Sequence, residues 1–177
     1  MKGIVFNLLE DVTTATQGED AWDELLADAN LHGAYTSLGS YPDEHFFQLI
    51  ASASGRQGRP LEHVIRSFGR SAIPLLANAY PEFFAPHQTT KHFLGTLNEI
   101  IHPEVRKIYP GADVPDFGMV PTETGLTMTY GSRRRLCSFA EGLIEGAADH
   151  YGEQLSIFQP RCMNRGDDTC ELEITFG

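Results

Sequence analysis

His102 and the segment Tyr130-Gly131-Ser132-Arg133-Arg134 combine residue types that could hold a metal and an anion together. A neutral imidazole is a good metal ligand. In an extended segment side chains alternate faces, so Tyr130, Ser132 and Arg134 are expected on one side of a strand. Arg133 and Arg135 then face the other way and could substitute under a one-residue change of register. The row offers a guanidinium fork and two hydroxyls, the donor set that clamps paired carboxylates. One imidazole plus such a clamp is what a haem with two propionates asks of a protein. Each half also has an ordinary reading: a histidine at a helix end caps or packs, and strands carry polar residues on a solvent face.

Cys137, Cys162 and Cys170 are a second candidate group, either a metal site or three separate buried thiols. Cysteine is among the most buried residue types, and the seven-residue gap between Cys162 and Cys170 is not a zinc knuckle, so spacing alone favours separate thiols. His32, His45, His63, His87, His92 and His150 show no pair at metal-ligand spacing and read as surface or capping residues. No Ser/His/Asp arrangement, phosphate loop or paired-carboxylate set is evident.

The elements that must position these groups fit one domain, residues 1–177, with ordinary apolar content. A net charge of -11, from 24 acidic and 13 basic residues, argues against nucleic acid and anionic membrane as partners. No apolar run approaches a membrane span, the first residues lack the pattern of an export signal, and three cysteines do not suggest a disulfide framework; the expected location is the cytoplasm. Apolar spacing predicts helices over 3–12, 20–29, 42–53, 61–79 and 89–101, the fourth kinked at Pro74 and the last ending at His102-Pro103. Extended pieces follow around 117–121 and 125–132, then a helix over 135–149 and strands near 154–159 and 169–176. The expected fold is α+β: a helical N-terminal part, about residues 1–60, and a C-terminal part, about 61–177, with an antiparallel sheet of about four strands crossed by a helix.

Taken together, Met-Lys-Gly-Ile-Val-Phe at 1–6, the stretch from His102 to Ala112, Pro115-Asp116-Phe117 and Tyr130-x-Ser132-x-Arg134 resemble the H-NOX (haem nitric oxide/oxygen binding) family, relatives of the haem domain of soluble guanylate cyclase. The resemblance runs in order along the whole chain. It implies haem b as cofactor, His102 as its proximal ligand, Tyr130, Ser132 and Arg134 on the propionates, and Pro115 pressing the porphyrin out of plane.

Family members that hold oxygen carry a distal tyrosine, and the matching position here is Phe139. Val5, Leu9, Ala72, Leu76 and Leu143, the other expected lining positions, are apolar too. Losing a hydrogen-bond donor penalises bound O2 more than NO, by on the order of 1–3 kcal/mol in a dry pocket, so NO and CO binding without a stable oxygen complex is expected. The three cysteines match a subset of the family with a structural zinc held by three Cys and one His, but Gln159 stands at the histidine position.

The resemblance implies a sensor rather than a catalyst, in which NO weakens the bond to the proximal histidine and the two parts of the domain rotate. A separate histidine kinase or diguanylate cyclase would read the change. The competing readings are a haem-dependent redox enzyme, which needs a distal acid–base residue, a thiol- or zinc-based redox sensor, and a haem-free scaffold.

Overall fold

The computed structural model describes residues 1–177. Three helices open the chain: α1 (Gly3–Gln17), α2 (Ala21–Ala29) and α3 (Asp43–Gln57). Phe6, Leu9 and Thr13 recur on the buried face of α1, and Phe46, Leu49, Ile50 and Ala53 on that of α3, the spacing that turns one stripe of a helix inward. Helix α4 (Leu61–Ala79) follows, then the short α5 (Pro81–Phe84) and α6 (Thr90–Gly95). A π-helical turn (Leu97–Ile101) leads into α7 (His102–Ile108). The rest is β1 (Asp116–Pro121), β2 (Gly125–Gly131), α8 (Cys137–Tyr151), β3 (Leu155–Arg161) and β4 (Cys170–Phe176).

The four strands form one antiparallel sheet in the order β1-β2-β4-β3. Leu126, Met128 and Tyr130 of β2 and Cys170, Leu172 and Ile174 of β4 point to its buried face, as the two-residue strand period requires. One apolar core joins α1, α2 and α3 to the first half of α4 through Val64, Ile65, Phe68 and Ala72. A second lies between the sheet and the helices, where Ile73 meets Phe84, Phe93, Leu94, Ile101, Met128 and Ile144.

Helix α4 therefore belongs to both cores. Val64, Ile65, Phe68 and Ala72 bury into the first core and Ile73 into the second, while Leu76 packs against both.

Helix α4 crosses α8 at close range. A Cβ at Gly142 would collide with the Arg66 carbonyl, and one at Gly146 would lie 2.6 Å from the Arg70 oxygen. Pro74 has no N–H to give to Arg70 four residues earlier, and the backbone of Gly146 approaches that carbonyl instead. The helix continues past Pro74 to Ala79. Arg66 bonds Glu141 and Glu145, and Arg70 bonds Asp149, along the same crossing.

Three local expectations are corrected. Residues 89–101 are not one helix but α6 and the π turn. His102 opens a helix rather than closing one; Pro103 falls in the first turn of α7, where a missing N–H costs little. Strand β2 ends at Gly131, so Ser132 and Arg134 lie in a turn.

Candidate functional site

A cavity of about 470 Å³ opens between the two cores. Its wall is mostly apolar, 27 of 35 lining residues being hydrophobic, which suits a large apolar ligand better than a polar substrate. His102 is the one histidine on that wall. Its ring stacks on Phe117 of β1, with centroids 5.5 Å apart and planes at 29°, and Phe117 in turn leans on Tyr130 at 5.8 Å. Burial first, then the cation of Arg106, push the His102 pKa down to about 4, against an opposing pull from Asp116. The imidazole is therefore neutral near pH 7, the form that ligates a metal.

At one end of the cavity the clamp is built by a turn, not by strand alternation. The Arg135 N–H donates to the Ser132 carbonyl at 3.1 Å with Arg135 at φ 51°, and the Arg134 N–H donates to Ser132 Oγ at 3.2 Å. This turn carries Arg134 to the cavity wall. Two acidic residues orient its guanidinium. Nε donates to Asp43 Oδ2 at 2.8 Å, and Nη1 donates to the Asp113 carbonyl at 2.8 Å and its Oδ2 at 3.1 Å. Nη2 makes no hydrogen bond within the protein, which leaves one edge of the fork for an anion. Burial would raise the Asp43 pKa, but hydrogen bonds from the Met1 ammonium and from Arg134 hold it below the usual value. Tyr130 is buried, and its hydroxyl accepts the Leu136 N–H at 3.1 Å, at the start of α8.

Val5, Leu76, Phe139, Leu143 and Pro115 all line the cavity together with His102, Tyr130, Ser132 and Arg134. Phe139 is held by a stacked contact with Phe68 at 5.1 Å. Leu9 and Ala72 do not reach the wall and are corrected to the first core. On α1 the lining face is Ile4, Val5 and Leu8, and Leu9 is turned past it; on α4 the lining residues are Ile73 and Leu76.

Asp43 and Asp113, which orient Arg134, were not legible in the sequence, because Asp43 lies 91 residues from its partner. Also missed were Tyr80 and Tyr109, whose hydroxyls meet on the cavity wall and tie the end of α4 to the end of α7. The Tyr109 pKa is pushed up by burial and then by the Tyr80 hydrogen bond. His87 and His92, given no role by spacing, meet on the surface with Nδ1 atoms 3.4 Å apart.

The three cysteines converge elsewhere. Their sulfurs all lie within 4.8 Å of one another, and all three residues are buried beside Tyr130 and Ala140. Burial raises the Cys137 and Cys170 thiols, the latter to about 12.

The residues present fit a haem. The cavity is apolar, carries one neutral imidazole on its wall, and keeps an unsatisfied guanidinium edge at one end. The comparisons agree. The Haem-NO-binding family profile matches residues 2–159. An H-NOX protein from S. oneidensis, solved in the Fe(II)NO ligation state, superposes with a TM-score of 0.94 at 31% identity, covering 100% of this chain and 99% of that one. The H-NOX domain of Shewanella oneidensis in the Fe(II)CO state gives 0.91 at 31% identity over 100% and 99%. An Fe(II) unliganded H-NOX protein from K. algicida gives 0.88 at 27% identity over 100% and 97%. A comparison with curated protein sequences found no match.

The chain therefore belongs to the Haem-NO-binding, or H-NOX, family of haem-based gas sensors. No helix is long and apolar enough to cross a membrane.

Proposed function

We propose that this chain is a nitric oxide sensor that holds haem b on His102 and reports to a separate signalling protein. The observation that carries the reading is the apolar cavity with a single neutral imidazole on its wall. When bound, the group supplies a ferrous centre that takes NO or CO and whose hold on the imidazole NO weakens. The protein's part is to tether and orient. Tyr130, Ser132 and Arg134 take the two propionates, with Asp43 and Asp113 fixing the direction of the guanidinium. Charge-assisted bonds of this kind offset the cost of bringing carboxylates to a half-buried edge. Pro115, on the cavity wall, would pack against the group. Val5, Leu76, Phe139 and Leu143 offer no donor, so O2, which depends more on one, is disfavoured.

His102 opens α7, and Tyr109 at its far end is bonded to Tyr80 at the end of α4. A change in what restrains His102 thus reaches the helix shared by both cores. Two arrangements of that helix against α7 are the element a partner could read, and a histidine kinase or diguanylate cyclase in the cytoplasm is the proposed reader.

The test is a rescue experiment. His102→Gly is expected to lose the haem absorption band of the purified protein and to regain it with added imidazole. A variant that keeps haem as well as the parent without imidazole would overturn the tether.

A further inference from the structure

Cys137 opens α8, Cys162 follows β3 directly and Cys170 opens β4, so three elements bring one thiol each to a single point. The Cys137 and Cys162 sulfurs are 3.6 Å apart, and the three residues are 1%, 4% and 0% exposed. The surroundings donate to sulfur. The Met163 N–H points at Cys170 Sγ at 3.3 Å, and Asn164 Nδ2 at Cys137 Sγ at 3.5 Å. Hydrogen bonds to sulfur are what a bound thiolate uses to spread its charge. Arg165 adds a cation at the rim, bonded to the Gln159 carbonyl at 2.5 Å.

Zinc does not fit this site. Structural zinc takes four ligands drawn from Cys, His and carboxylate. The polar side chains beside Cys137 that could supply a fourth are Asn164 and Gln159, both amides, and the Gln159 amide is buried against the thiols. An amide nitrogen has no lone pair to give, and an amide oxygen is a poor zinc ligand. A water serving as fourth ligand would have to be carried into a buried cluster.

We propose instead that the triad is a three-coordinate thiolate site for a soft monovalent cation of the Cu(I) class, with Gln159 as the residue that excludes zinc. Soft thiolates select Cu(I), which is satisfied by two or three of them and needs no fourth ligand. A planar set with metal–sulfur bonds of about 2.3 Å has sulfurs roughly 4 Å apart, compatible with the 4.8 Å limit seen here. Each thiol that binds gives its proton to solvent, and no electron is transferred. None of the three thiols lines the haem cavity, from which Tyr130 and Ala140 divide them, and metal retention at the triad is read without any measurement of gas binding.

The experiment is equilibrium dialysis of the haem-loaded protein without oxygen, followed by elemental analysis. One arm holds Cu(I) at fixed activity with bathocuproine disulfonate, the other holds Zn(II) with nitrilotriacetate. The parent is expected to retain about one copper per chain and little zinc. Cys162→Ser should lower copper retention at least tenfold. Gln159→His, which leaves all three thiols in place, should raise zinc retention at least tenfold. The proposal is overturned if the parent holds zinc as tightly as Gln159→His, if copper retention ignores Cys162→Ser in a variant with unchanged circular dichroism, or if the parent retains neither metal.

Discussion

At the scale of single residues, the proposed function rests on one neutral imidazole and on a wall of Val5, Leu76, Phe139 and Leu143 that offers no donor. The His102 pKa near 4 lies below its ordinary 6.5, so the unfolded chain takes up this proton more readily than the folded one. Stability of the haem-free protein is therefore complete above about pH 6.5 and falls as pH drops toward 4. After allowing for partial exposure of the ring, the loss between pH 7 and pH 5 is about 1 kcal/mol. Urea unfolding at the two pH values should show this difference in the parent and lack it in His102→Gln; equal slopes in both would contradict the assignment. On the other wall, Phe139→Tyr adds a hydroxyl where the ring already stacks on Phe68. One hydrogen bond in this setting is expected to raise O2 affinity roughly ten- to hundredfold. Oxygen titration of the ferrous variant measures it, and an unchanged affinity would show that position 139 does not face the ligand.

The elements that place these residues were legible to different degrees. Apolar spacing located α4 at both ends, because its buried stripe is long enough to fix both the period and the limits. The same spacing hid the π turn. Leu97, Ile100 and Ile101 satisfy a helical stripe, yet the wider turn rotates the register so that Ile101 is buried while Ile100 stays 53% exposed. The turn that presents Arg134 was hidden as well, since alternation in Tyr130-x-Ser132-x-Arg134 mimics a strand that stops at Gly131. The α4–α8 crossing gives the clearest test at this scale. Gly142→Ala forces a methyl group against the Arg66 backbone and is expected to cost about 1–3 kcal/mol, read as a lowered Tm. Gly55→Ala in α3, with nothing within 4 Å, should be neutral or stabilising by up to about 1 kcal/mol. Equal effects of the two changes would remove the close-packing explanation.

At the scale of the whole molecule, two cores share α4, and the cavity lies where they meet. The α+β class and the four-stranded antiparallel sheet were legible from periodicity and turns, and the family from motifs spread along the chain. What tied the two parts together was not legible. The Asp43–Arg134 and Tyr80–Tyr109 contacts join residues 91 and 29 positions apart, and no local pattern announces such pairs. These contacts tie the cavity wall to α3, α4 and α7. The most direct test of the central claim is the absorption spectrum of the purified ferrous protein under nitrogen, air and NO. A haem band that shifts with NO and is the same under air as under nitrogen, apart from slow oxidation, is expected. A stable oxy spectrum in air, or a band that does not respond to NO, would contradict it.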